Sequence, residues 1–211
     1  MTRLRPIIAS GLAALAVVVA AATGAATTDA GQADRRPAPG RQDFPHVKHY
    51  GSAVSVFDDR VVRVAAAYYY AQREHDRPWI LVEFGIRARR EIRLERARIE
   101  IETPSGDLVP LSGQRRWGAD GRRAQQLLQQ ITPTRHQVRP YFGSSTQVNH
   151  LRFFSRPEDG YTVVDAEDIV WEPITIGDLL FESPTGAWEP GRHVLVIGHD
   201  YGVARLPLDL K

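Results

Sequence analysis

The chain of 211 residues carries 27 Lys and Arg against 25 Asp and Glu and no cysteine, which excludes a disulfide framework, a cysteine-borne lipid anchor and a cysteine metal site. With Arg3 and Arg5 set aside in a leader segment, cations and anions balance, so net charge gives no support to nucleic-acid or anionic-membrane binding. A chain of this order buries roughly 70% of its unfolded surface, enough for a hydrophobic core to hold the fold without cross-links.

Residues 1–26 read as a secretory signal peptide. Arg3 and Arg5 form a cationic start, Ile7 to Ala22 follows without a charge, and Ala20-Ala21-Ala22 and Gly24-Ala25-Ala26 supply the small side chains that a signal peptidase accepts. Cleavage after Ala22 or Ala26 predicts an exported protein, periplasmic or extracellular. The alternative is an uncleaved membrane anchor, since a spanning helix needs about 20 apolar residues and Ile7 to Ala26 comes close. Arg35-Arg36 follows the apolar stretch rather than preceding it, unlike a twin-arginine signal. Residues 27–45, with Pro37, Pro39 and Pro45 and no large apolar residue before Phe44, are expected to be a disordered tether. The folded domain is expected over residues 46–211.

Ser52 to Phe57 and Val61 to Tyr70, rich in Val and Tyr, predict two strands around the turn Asp58-Asp59-Arg60. On such a strand Tyr68-Tyr69-Tyr70 would place rings on both faces. Trp79 to Ala88 alternates most clearly, with Ile80, Val82, Phe84, Ile86 and Ala88 apolar and Glu83, Gly85 and Arg87 between them. The apolar phase then moves from even positions, Ile92 and Leu94, to odd ones, Ala97, Ile99 and Ile101, which requires a bulge or turn near Glu95. Good helix formers leave a helix open for Arg87 to Arg98. Pro104 to Asp107 reads as a turn into Leu108 to Leu111.

One helix is expected from Asp120 to Ile131, capped by Asp120 and ended before Pro133. Val148 to Phe154, Tyr161 to Val164 and Asp168 to Trp171 read as short strands, and Ile174 to Phe181 is too mixed to assign. Pro190-Gly191 leads into a strand from Arg192 to Gly198, the chain reverses at His199 to Gly202, and Val203 to Leu210 returns. Pro207 cannot donate to a ladder, so the last strand is expected at an edge or to end its pairing there. The fold predicted is mainly β, a β-sandwich with one inserted short α-helix. The closing hairpin resembles those of immunoglobulin-like sandwiches, a likeness that implies fold alone.

Arg87 to Arg123 holds ten Arg and six acids, whereas Arg156 to Lys211 holds eleven acids and four bases. The two regions are expected to face each other across the fold or to lie on solvated strand faces, rather than to drive head-to-tail assembly. His46-x-x-His49 lacks a third ligand, and His193 and His199 are expected on a polar face or as hydrogen-bonded core residues, so no metal is assigned. No Gly-x-Ser-x-Gly surrounds Ser144 and Ser145, and Glu158-Asp159 and Glu167-Asp168 would point apart on strands. No phosphate loop and no cofactor motif occur.

Trp117 with Arg115 and Arg116, in a polar stretch flanked by Gly113 and Gly118, are the candidate binding residues, because Trp and Arg are enriched in binding hot spots. The competing arrangement folds Trp117 back onto the core. These readings favour an exported, non-enzymatic binding or structural module whose partner is an envelope protein or a glycan, not a nucleic acid. The alternative is a secreted hydrolase or metal-dependent enzyme with a dispersed site.

Overall fold

A computed structural model describes residues 44–120, 137–143, 147–155, 160 and 162–211. The signal segment, all but the last two residues of the tether, and the helix expected after Asp120 lie outside the described residues. Asp43–Lys211 form one compact unit. In chain order its strands are β1 (Val47–Tyr50), β2 (Val54–Asp58), β3 (Val62–Ala67), β4 (Trp79–Ala88), β5 (Ile92–Glu95), β6 (Ile99–Glu102) and β7 (Leu108–Pro110). They continue with β8 (Val148–His150), β9 (Ala166–Ile169), β10 (Ile174–Glu182), β11 (Gly191–His199) and β12 (Gly202–Leu210).

The architecture is mainly β and sandwich-like. A six-stranded sheet in the order β1-β2-β3-β4-β10-β8 faces a four-stranded sheet, β12-β11-β6-β7, and a ribbon of β5 and β9 forms a third. Phe84 and Ile86 of β4 share one core with Ile99 and Ile101 of β6 and Leu195 and Ile197 of β11. Strands β1 to β4 are a meander, each paired with the next in sequence, whereas an immunoglobulin sandwich deals consecutive strands between two sheets. The likeness of the closing hairpin therefore does not extend to the strand order.

The shift of apolar phase at Glu95 becomes a change of sheet. Ile92 and Leu94 pair with β9, a 3-10 turn at Arg96–Arg98 rotates the chain, and Ile99 and Ile101 enter the other sheet against β11 and β7. The alternation of β4 is real, but its second face is covered as well. Val138 and Phe142 pack there with Val54, Val56, Ala65, Ala67, Ile174 and Ile176. Gly85 permits this, since a Cβ at that position would lie 2.6 Å from the Phe142 ring.

Ile174–Glu182 forms the nine-residue strand β10, antiparallel to β4 and parallel to β8. Gly177 and Asp178 break its apolar alternation, and Gly177 is where Leu151 crosses closely. The β12 strand is at an edge, as Pro207 requires, yet its register with β11 continues through Pro207 to Leu210. Two of its carbonyls are taken from outside the β11 ladder: Ser55 Oγ donates to Pro207 O at 2.6 Å and Gln72 Nε2 to Asp209 O at 3.3 Å, which blunts that part of the edge.

Two short helices, α1 (Tyr69–Arg73) and α2 (Gln114–Ala119), stand among the described residues where one was expected elsewhere. The tyrosine run leaves the strand at Ala67 and turns into α1, so only Tyr68 is buried. The expected strand at Val148 stops at His150, and the strand expected at Asp168 starts earlier, at Ala166.

Candidate functional site

Trp117 lies in α2, a helical turn that the polar composition of Ser112 to Gly118 does not suggest. Its ring is buried, 4% exposed, and meets Trp79 edge-to-face with centroids 5.5 Å apart. Trp79 Nε1 donates to Asp120 at 2.5 Å beyond the end of α2. Of the two arrangements open to Trp117, the observed one caps the core. Arg116 is turned away onto Glu182 as a two-point ion pair, which raises its guanidinium pKa through that hydrogen bond, and Arg115 is exposed. The three candidate residues are thus not brought to one surface.

A different constellation forms where the β2–β3, β4–β5 and β11–β12 turns and the β9–β10 connection converge. Asp59 ties the first turn, its Oδ1 accepting from Val61 and Val62 N–H at 2.7 Å each. The N–H of Arg89 donates to Val61 O and that of Ala88 to Val170 O, locking the β4–β5 turn between the other two. The N–H of Arg93 donates to Asp200 Oδ2 at 2.7 Å, and Arg98 Nη2 to His199 O at 2.8 Å, which bring in the β11–β12 turn.

Trp171 and Tyr201 are exposed here, 39% and 54%. Arg87 lies over the Trp171 ring at 3.6 Å from its centroid and Arg89 at 5.3 Å, while Arg90 lies over Tyr201 at 4.6 Å. Consecutive arginines of one tight turn are therefore stacked on two separate exposed aromatic rings. Each such contact is worth about 0.5–1 kcal/mol at a surface. Arg63 and Arg89 share the Asp58 carboxylate at 3.5 and 3.0 Å. Burial and then the neighbouring Arg63 lower the Arg87 pKa, so this spot crowds positive charge around Trp171.

A polar cleft of about 440 Å³ lies between β8, β9 and β10, lined by Asn149, His150, Arg152, Glu167, Asp168 and Thr175. Both of its carboxylates are held: Glu167 Oε1 accepts from Arg152 N and Nε at 2.8 Å each, and Asp168 accepts from Arg93 at 3.1 Å. Here the basic and acidic regions of the chain do meet, through Arg93 with Asp168 and Arg96 with Asp165, as they do at Arg98 with Asp200 and Arg116 with Glu182.

His193 and His199 are core histidines. His193 is fully buried beside Trp188, its Nδ1 3.4 Å from Gly191 O, and His199 Nδ1 accepts from Tyr201 N–H at 3.3 Å. Burial lowers the pKa of both. His46 packs on Phe57 and His49 lies 3.2 Å from Ser55 Oγ. Among the described residues no group of three His, Cys, Asp or Glu could hold a metal ion.

Sequence reasoning missed Trp171, Tyr201 and the arginines of the β4–β5 turn. A signal was present: Tyr201 sits in a hairpin turn, where a large aromatic has no packing reason to be, and Arg89-Arg90 ends the strongest alternating strand. The class defined by fold and surface is a mainly β, sandwich-like protein with an arginine and aromatic end. No protein family, curated protein or solved structure matches the chain.

Proposed function

We propose that this is an exported, non-enzymatic binding module that engages a protein of the cell envelope or extracellular space through its arginine and aromatic end. The observation that carries the reading is the pair of exposed rings, Trp171 overlaid by Arg87 at the end of β4 and by Arg89, and Tyr201 overlaid by Arg90 of the β4–β5 turn. Trp, Tyr and Arg dominate binding hot spots, and turns gathered on a rigid scaffold are where binding residues concentrate. Stacking holds the guanidinium planes in place before a partner arrives, which lowers the ordering cost of binding. Export rests on the leader of residues 1–26.

The rival reading, a hydrolase, draws on the cleft where His150 stands with Glu167 and Asp168. Both carboxylates there already serve arginines, which leaves His150 without the orienting acid that base catalysis employs.

The test is capture of partners from envelope and extracellular fractions of the source cells by the full chain and by Trp171→Ala. The substitution is expected to weaken a captured partner by about thirtyfold, the effect of losing ~2 kcal/mol at a hot spot. Equal capture by both proteins overturns the reading.

A further inference from the structure

We infer that the arginine and aromatic end reads spaced carboxylates on a polypeptide partner, with Arg60 and Arg90 as the groups that take them. The inference rests on the binding role proposed above. Asp58 accepts from Arg89 and faces Arg63. Asp59 Oδ1 is taken by two backbone N–H groups. Asp168 accepts from Arg93, and Asp200 accepts from the Arg93 backbone and faces Arg98. The aspartates of this end are thus engaged inside the molecule, whereas Glu91 is exposed.

The donors are not all so engaged. A guanidinium has five N–H groups, and stacking on a ring uses its face while leaving its donor edge open. Arg90 lies over Tyr201 and, among the described residues, has no hydrogen bond or ion pair. Arg60, at the tip of the β2–β3 turn, is exposed and likewise has neither. Carboxylates match this edge geometry, accepting two parallel N–H bonds from one guanidinium.

The acids standing among these arginines decide between a polypeptide and a dense polyanion. Asp58, Asp59, Glu91 and Glu172 interleave with Arg60, Arg63, Arg87, Arg89 and Arg90. A nucleic acid or sulfated glycan, charged at every unit, would meet that repulsion. A polypeptide with single carboxylates separated by apolar side chains avoids it and supplies contacts for Trp171 and Tyr201.

The experiment titrates the full chain with three labelled probes: a flexible peptide of Glu-Gly-Leu-Gly repeats, its Lys-for-Glu counterpart, and a heparin-derived oligosaccharide. The acidic peptide should bind more tightly than either of the others. Arg60→Gln and Arg90→Gln should each weaken it by about two- to fivefold, the range of an exposed ion pair. Both side chains are exposed, so the melting temperature should stay at the parent value for Arg60→Gln and fall by no more than about 1–4 °C for Arg90→Gln, which gives up its contact with Tyr201. Equal binding of the lysine peptide, tighter binding of the oligosaccharide, or no loss in the double variant overturns the inference. A native partner lost with Trp171→Ala but retained by the double variant and at about 0.5 M salt, where screening is strong, leaves the binding role standing and overturns the carboxylate reading alone.

Discussion

Trp117→Ala tests whether the short helix α2 closes the core. The ring is 4% exposed and packed against Trp79. A tryptophan buries about 150–250 Å², which at ~25 cal/mol per Å² amounts to roughly 4–6 kcal/mol. The unfolded chain already buries some 10–40% of such surface, which reduces this to roughly 3–5 kcal/mol, the measured range for Trp→Ala in cores. The substitution should therefore cost about 4 kcal/mol in urea unfolding, and about 8–16 °C in melting temperature for a domain of this size. A loss under about 1 kcal/mol, the scale of an ordinary surface substitution, would refute the capping role. Capture of partners, corrected for the folded fraction, should not change.

Gly85→Ala places a Cβ 2.6 Å from the Phe142 ring and should destabilise by about 1–3 kcal/mol through overpacking; a gain of about 0.5–1 kcal/mol, as for a strand glycine with open space above it, would show that Phe142 does not cover β4. The pH dependence follows from His193 and His199, whose folded pKa values burial holds below the ordinary 6.5. The unfolded chain binds their protons first, so their contribution is complete above about pH 6.5 and is lost as pH falls toward the folded values, by at most about 1.4 kcal/mol per pH unit for each histidine. Urea midpoints at pH 7.5, 6.5 and 5.5 should decline in that order, and the decline between 6.5 and 5.5 should be shallower in His193→Gln, where His199 alone remains; a profile already flat in the parent chain contradicts the burial argument. Asp59→Ala removes the acceptor for Val61 and Val62 N–H and should cost about 1 kcal/mol, as loss of a capping side chain does, read as faster hydrogen exchange at the β2–β3 turn; unchanged exchange would show that the turn does not depend on it.

The β class was legible because alternation and turn residues are local properties. Trp79 to Ala88, the turn at Pro104 to Asp107 and the closing hairpin all lie where the sequence places them. The phase change at Glu95 announced a break, though not that the chain moves to another sheet there. Strand β10 was hidden because Gly177 and Asp178 interrupt its pattern, and the need for Gly177 arises only from Leu151, distant in sequence. The tyrosine run misled because β propensity is weak beside tertiary packing: Tyr68 is drawn into the core while Tyr69 and Tyr70 turn into α1. The candidate surface was the least legible part. Arg87 comes from the end of β4 and Arg89, Trp171 and Tyr201 from three connections, and only the fold makes them neighbours.

In the proposed function a partner sits on the arginine and aromatic end. Site-specific photo-cross-linking in the source cells tests it most directly, with a photoreactive phenylalanine placed at Trp171 and, for contrast, at Leu108. Leu108 is also exposed but pairs with Glu102 at the opposite end of β6 from His199 and Tyr201. A dominant adduct from position 171 that is absent from position 108 is the predicted result. No adduct from position 171, or the same adducts from both positions, would show that this end is not where a partner sits.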